Sequence, residues 1–190
     1  MPRLNVAQVA LVALAILAGP AVPAEAGSVP VRIINSAAST ATFSVEHIYV
    51  ERVNGSVPIV QGEIYLQQGT VIPLGVYAVL DPTKIKTGED DRDGALQSPD
   101  WFDTKKFPTW TFQATKIVPS GTSAFSLDGT LTIHGVARTE HLDVTVSGTP
   151  EHPHYHAVGK IDRHAFGMHV TRLDPVVGND VDVALDVTLQ

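Results

Sequence analysis

Three histidines at alternating positions, His152, His154 and His156, form the densest group of metal-ligand side chains in the sequence. On an extended backbone they would project from the same side, where imidazoles can bind zinc, copper or nickel. Pro150 and Pro153 instead favour a loop ahead of a strand. We therefore predict no metal site, and we keep a metal-binding protein centred on these histidines as an alternative.

A second group of side chains that could take part in catalysis consists of the carboxylates Asp90, Asp93 and Asp103. They lie beside basic residues in one stretch, and a charge-paired loop explains them as well as acid–base catalysis does. The sequence contains no Gly-x-Ser-x-Gly elbow, no His-Glu-x-x-His motif, no phosphate loop and no cysteine. We expect a protein that is not an enzyme and has no cofactor, with an enzyme acting on a lipid head group as the alternative.

The composition limits the class of protein. A chain of 190 residues with 44% hydrophobic residues is long enough for one domain with a sizeable core. Its formal net charge of −7 argues against binding to nucleic acid, which usually requires a basic surface.

The first residues have the pattern of a secretory signal peptide. Arg3 precedes an apolar run over residues 9–18, and Ala24-Glu25-Ala26 supplies a small-x-small cleavage site. The run is about half the length of a membrane-spanning helix, so a permanent anchor is the less favoured alternative. We predict cleavage after Ala26, a mature domain over residues 27–190, and a periplasmic location. Because the sequence has no cysteine to carry a lipid, we expect the mature protein to have no lipoprotein anchor.

Most of the remaining chain alternates between apolar and polar residues, as in strands with one buried face. The clearest examples are residues 181–189, 125–133 and 142–146, and Tyr155, Ala157, Gly159 and Ile161 continue the pattern more weakly. About eight or nine such strands predict a sandwich or a barrel. Only Asp90–Lys106 differs. There Ser98 and Pro99 could begin a short helix.

Four sequence blocks resemble those of the YceI-like family. They are Phe43-Ser-Val-Glu-His47, the stretch from Leu80 through Asp93 and Trp101 to Phe112, Leu127-Asp-Gly-Thr-Leu-Thr-Ile-His-Gly-Val136, and Ile161-Asp-Arg-His-Ala-Phe-Gly-Met168. The resemblance extends over residues 41–190. It implies an all-β, eight-stranded antiparallel lipocalin-like barrel with a short helical insertion, exported from the cytoplasm. It also implies that the barrel binds a polyisoprenoid or another long-chain amphiphilic lipid.

The residues alone leave open whether the barrel is hollow, because large inward side chains could fill the room left by small ones. The resemblance favours a cavity. If the ligand carries a phosphate head group, Arg92 and Arg163 are the candidates to bind it. Both arginines could instead pair with neighbouring aspartates. Trp101 and Phe102 could plug the barrel or line its mouth. The predicted ligand contacts are Phe43, Val45, His47, Ile64, Ala78, Arg92, Trp101, Phe102, Trp110, Phe112, Leu131, Ile133, Arg163, Phe166 and Met168.

The predicted function is therefore transport or storage of an isoprenoid-like or fatty-chain lipid in the periplasm, by a monomer or a homodimer. A barrel without a ligand, acting in stress or in partner binding, is a further alternative.

Overall fold

The computed structural model describes residues 29–48, 51–169 and 176–190. The predicted signal peptide lies outside these ranges. The described part of the chain forms ten strands, one α-helix and two short 3-10 helices. The strands are β1 Val31–Ile33, β2 Thr40–His47, β3 Glu51–Ser56, β4 Ile59–Leu66, β5 Pro73–Leu80, β6 Trp110–Pro119, β7 Ala124–Ile133, β8 Val136–Gly148, β9 Pro153–Asp162 and β10 Val177–Thr188. Helix α1 is Asp90–Leu96, and the 3-10 helices are Pro82–Lys84 and Arg163–Phe166.

All ten strands belong to one antiparallel sheet with the order β1-β4-β5-β6-β7-β8-β9-β10-β2-β3. The sheet curls until β1 reaches the end of β10, where Ile34 and Leu189 form an isolated bridge. The predicted all-β antiparallel barrel with a short helical insertion is thus confirmed.

The strand count is ten and not eight because two long strands are interrupted. A turn over residues 36–38 separates β1 from β2, and the buried Ser39 hydroxyl accepts a hydrogen bond from the Thr188 backbone N–H. Pro58, which has no N–H for a ladder, lies in the break between β3 and β4. β1 still pairs with β4 and β2 with β3, so the pairs form one hairpin with an irregular centre.

The alternation in the sequence decides which side chains face inward. In β7, Phe125, Leu127, Gly129, Leu131 and Ile133 are buried, while the residues that alternate with them are half-buried. The following two-residue turn has positive φ at both central positions, His134 and Gly135, as a type I′ hairpin turn requires. The inward side chains of the barrel therefore form one continuous apolar core.

Residues 81–109 form the helical insertion between β5 and β6. The helix begins earlier than Ser98 and Pro99 suggested, because α1 covers Asp90–Leu96. Ser98 instead accepts hydrogen bonds through its backbone carbonyl from the N–H groups of Trp101 and Asp103 in a series of turns. None of the helices in the described ranges has the length and apolar character needed to cross a membrane.

Candidate ligand-binding cavity

The barrel interior contains two adjoining cavities. The first, here called the inner chamber, has a volume of about 160 Å³ and is enclosed by strands. The second, the helix-side chamber, has a volume of about 210 Å³ and is bounded partly by α1. The residues that line both chambers define a waist between them: Phe43, Trp110, Ile133, Ile161 and Val183.

The inner chamber is lined almost entirely by apolar side chains, which the alternating strands direct inward. Apart from the waist, its walls include Ile64, Ala78, Phe112, Phe125, Leu127, Leu131, Leu142, Val144, Ala157, Leu185 and Val187. Two ionisable side chains join them. Burial raises the pKa of the Tyr155 phenol to about 12. Burial, followed by the nearby Asp162 carboxylate, raises the pKa of Glu140. Both shifts favour the uncharged form, which suits an apolar chamber.

Small inward residues contribute to this space in two different ways. Ala78 and Ala157 line the inner chamber directly. The space above Gly129 is instead occupied by the Phe112 ring, and the space above Gly55 by the Phe43 ring. The small alanine side chains therefore leave free space in the inner chamber. The two glycines instead allow aromatic rings to pack close to the barrel wall.

We expect Gly129→Ala to destabilise the protein by about 1–3 kcal/mol, because overpacking a filled site forces neighbouring side chains to move. The new methyl group would overlap the Phe112 ring, which would be displaced into the inner chamber. Urea unfolding measures the change. Gly94→Ala is the control, since no atom lies near its added methyl group and α1 would gain about 0.5–1 kcal/mol. Equal effects of the two substitutions would contradict the packing described here.

The helix-side chamber brings together the basic side chains of His47, Arg92 and Arg163 from three elements. Arg92 donates from Nε to the Thr87 hydroxyl at 2.8 Å and from Nη2 to the Thr87 carbonyl at 2.9 Å. Its ion pair is with Glu89, at 3.3 Å, and not with the aspartates suggested by the sequence. The guanidinium of Arg92 thus serves first to hold the loop that precedes α1.

Asp93 fixes the same loop from the buried side. Its Oδ1 accepts hydrogen bonds from the Thr87 backbone N–H at 2.8 Å and from the Thr87 hydroxyl at 2.6 Å. These bonds, with the Thr87 hydroxyl contributing most, keep the pKa of Asp93 below its usual value. Asp90 lies 3.7 Å from the Lys86 ammonium on the surface. Asp90 and Asp93 therefore belong to a charge-paired support for the chamber wall, in line with one of the two interpretations of the sequence.

Arg163 is buried and binds backbone carbonyls. Its Nη1 donates to Met168 O at 2.6 Å, Nη2 donates to Val177 O at 2.9 Å, and Nε donates to Gly178 O at 2.9 Å. Asp162, which the sequence suggested as a partner, caps the second 3-10 helix by accepting from the His164 backbone N–H. Arg163 thus ties the end of β9 to the start of β10.

Trp101 and Phe102 are both buried and both line the helix-side chamber. The Phe102 ring packs edge-on against Trp110, with 4.8 Å between ring centroids. The Trp101 ring lies under the Arg163 guanidinium, 5.7 Å from centroid to Cζ. The two side chains therefore cover this end of the barrel and at the same time form part of the chamber wall.

Most of the predicted contact residues are brought together around the two chambers. Phe166 is the exception, because it is fully buried in the core and lines neither chamber. The predicted residues lining a chamber are Phe43, Val45, His47, Ile64, Ala78, Arg92, Trp101, Phe102, Trp110, Phe112, Leu131, Ile133, Arg163 and Met168. Their contact with a ligand stays a prediction. Tyr155 and Ala157 were missed, although the alternation of β9 had marked them as inward.

The histidine group lies on the outer face of the sheet. His156 Nδ1 is 2.9 Å and His154 Nε2 is 3.6 Å from the same Asp186 carboxylate oxygen, whereas His152 precedes β9. Within the described ranges, no three side chains of histidine, aspartate or glutamate are placed to hold a metal ion. The structure therefore lends no support to the metal-binding alternative.

Another outer histidine, His141, is held between two carboxylates. Its Nδ1 lies 2.6 Å from Asp128 and its Nε2 lies 3.5 Å from Asp143. The hydrogen bond to Asp128 is the main cause of a raised His141 pKa, to which the Asp143 charge adds less. We expect Asp128→Asn to lower the His141 pKa more than Asp143→Asn does, as measured by NMR titration.

The sign of the effect on stability follows from that shift. A raised folded-state pKa stabilises the protein fully below the unfolded value, about pH 6.5, and the contribution is lost as pH rises through the folded pKa. The difference in unfolding free energy between wild type and Asp128→Asn should therefore be larger at pH 5.5 than at pH 8.5. A difference that grows with pH would contradict the pairing.

Comparison with known families agrees with this architecture. The model of the YceI-like domain matches residues 33–189. Among curated relatives, a UPF0312 protein of Vibrio parahaemolyticus is 26% identical over 58% of this chain and 59% of its own length. A UPF0312 protein of Staphylococcus aureus is 30% identical over 63% of this chain and 67% of its own length. The chain thus aligns with about three fifths of the Vibrio relative's length.

Solved structures share the fold. BcnA of Burkholderia cenocepacia superposes with a TM-score of 0.75 at 20% identity, over 83% of this chain and 99% of BcnA. The YceI protein of Campylobacter jejuni gives 0.66 at 23% identity, over 76% of this chain and 89% of its own. A polyisoprenoid-binding domain from Saccharophagus degradans also gives 0.66, at 15% identity, over 83% and 97% of the two chains.

Proposed function

Because the chain belongs to the YceI-like domain family, we propose that its barrel binds one long-chain amphiphilic lipid, of polyisoprenoid or fatty-chain type, and transports or stores it. The observation that carries the proposal is the pair of adjoining cavities in a barrel whose inner chamber is lined by apolar side chains. The polyisoprenoid-binding domain of Saccharophagus degradans, which shares the fold, supports the choice of ligand class.

The energetics of such a cavity favour a hydrocarbon tail. Each methylene group removed from water contributes about 0.8 kcal/mol. A tail of about fifteen carbons thus offers roughly 12 kcal/mol before association costs of about 4–15 kcal/mol. Apolar walls with little directional chemistry would discriminate weakly between tails, so the polar atoms of the ligand must provide most of the selectivity.

The basic side chains around the helix-side chamber support an orientation for the lipid. His47, Arg92 and Arg163 line that chamber, whereas Glu140 is the only acidic or basic side chain among the described residues that line the inner chamber. The tail would therefore occupy the inner chamber and the head group would lie under α1, beside the basic side chains.

The proposal includes export to the periplasm without a permanent membrane anchor, and binding without catalysis. It rests on the signal-peptide pattern of residues 1–26 and on the absence of a catalytic motif in the sequence. N-terminal sequencing of the protein from a periplasmic fraction should give Gly27 as the first residue. A first residue upstream of the apolar run would overturn this part of the proposal.

Mass spectrometry of an organic extract tests the binding function. The mature chain is purified from a bacterial periplasm without detergent, and an unrelated exported protein prepared in parallel is the control. A long-chain species at a stoichiometry near one, present only with this protein, is the expected result. An empty protein that also takes up neither polyprenyl nor fatty-chain probes would overturn the proposal.

A further inference from the structure

The waist between the two chambers contains a polar group that the fold leaves unsatisfied. Trp110 lines both chambers, and its side chain is 8% exposed. Its indole Nε1 is buried, and no acceptor for its N–H exists among the described residues. A buried donor without a partner is unfavourable, and most such groups in proteins have one.

Trp110 owes its position to packing and not to its nitrogen. It begins β6, pairs with Leu80 of β5 and packs against the Phe102 ring at 4.8 Å. These contacts would serve equally well for a phenylalanine. The indole N–H therefore has no evident structural role, although the Trp110 side chain lines both chambers at the waist that a lipid occupying both must cross.

We propose that the Trp110 N–H donates a hydrogen bond to an uncharged oxygen of the bound lipid, such as that of a carbonyl. This proposal rests on the proposed lipid-binding function and specifies it further. The protein would select lipids that carry an acceptor oxygen at the root of the tail, with the tail in the inner chamber and the rest of the head group in the helix-side chamber.

Two further observations favour an uncharged acceptor. The Arg92 guanidinium is engaged with Thr87 and Glu89, and the Arg163 guanidinium with three backbone carbonyls. An anionic head group would compete with these partners for the guanidinium groups. A neutral oxygen at the waist involves no such competition.

The inner chamber contains a second buried donor that could bind the ligand oxygen in place of Trp110. The Tyr155 hydroxyl is also buried without a partner in the described part of the chain, and its side chain lines the inner chamber away from the waist. If the lipid entered head first, its oxygen would meet Tyr155 and not Trp110. The two donors therefore distinguish the two orientations of the ligand.

The experiment uses two matched probes, geranylgeranylacetone and its analogue with a methylene in place of the carbonyl. Their affinities for the full mature protein are measured by displacement of a fluorescent long-chain probe, with wild type, Trp110→Phe and Tyr155→Phe. Wild type should prefer the ketone. Trp110→Phe should reduce the ratio of ketone to hydrocarbon affinity roughly three- to tenfold, whereas Tyr155→Phe should keep the wild-type ratio. Because the ratio compares the two probes in one variant, a change in packing that affects both tails equally cancels.

The chain has two tryptophans, so NMR gives a second measurement that needs no variant. The ketone should move the Trp110 indole resonance downfield and leave that of Trp101 in place, and the hydrocarbon should not do so. An unchanged Trp110 resonance, or a preference lost in Tyr155→Phe and kept in Trp110→Phe, would overturn the inference alone. Failure of wild type to bind either probe would overturn the lipid-binding function together with it.

Discussion

Replacing Ala157 with phenylalanine should weaken lipid binding by about two orders of magnitude and leave the barrel folded. Ala157 lies in the middle of β9, between Val144 of β8 and Leu185 of β10, and its side chain faces the inner chamber. The added ring would project into a space of about 160 Å³ that the proposed function assigns to the tail. The substitution therefore competes directly with the ligand.

The expected size of the effect follows from the methylene groups that the ring displaces. About four methylenes at about 0.8 kcal/mol each correspond to about 3 kcal/mol, which is a roughly 100- to 200-fold loss of affinity. Overpacking would cost about 1–3 kcal/mol of stability in a filled core, and less where the ring enters an existing cavity. Titration with a fluorescent fatty-chain probe measures the first quantity, and urea unfolding measures the second.

The neighbouring residue provides a matched control. Val158 lies on the same strand but faces outward, with 42% of its surface exposed. Val158→Phe adds a similar ring to the outside of the barrel and should leave the affinity within about twofold of wild type, as is usual for surface substitutions. If Ala157→Phe binds the probe as tightly as Val158→Phe does, the tail does not occupy the inner chamber.

The lining of the chambers could largely be predicted because strand alternation is a local property of the sequence. In β7 and β9, each second residue faces inward, and this rule already marked Leu131, Ile133, Tyr155 and Ala157. The family resemblance then predicted a barrel, in which the apolar faces of the strands point to a common interior. Agreement between pattern and structure is closest where a strand is long and regular.

The remaining features depend on contacts between residues far apart in the sequence. Gly129 and Ala157 both appear as small inward residues, but only the structure shows that the Phe112 ring fills the space above the glycine. At the break between β1 and β2, Ser39 likewise binds Thr188 of the neighbouring strand β10, far away in the sequence. Neither contact has a local signature, which explains the error in the number of strands.

The contacts of Arg163 also lack a local signature in the sequence. Among the substitutions proposed for this protein, replacement of Arg163 should lower the free energy of unfolding most. In Arg163→Met, the carbonyls of Met168, Val177 and Gly178 would lose their donor. At about 1–3 kcal/mol for each buried group left unpaired, we expect the free energy of unfolding to fall by about 3–5 kcal/mol. Urea unfolding followed by circular dichroism measures the change.

Arg138→Met is the matched control, because Arg138 is exposed and its side chain donates to the neighbouring Ala137 carbonyl. It should change the free energy of unfolding by less than about 0.5 kcal/mol. The comparison also separates two roles of Arg163. A clamp between β9 and β10 predicts a large loss of stability, whereas a head-group contact predicts a normal fold with weaker binding of anionic lipids only. Since the guanidinium already binds three carbonyls, the structure favours the first outcome, and with it a helix-side chamber whose walls depend on this arginine.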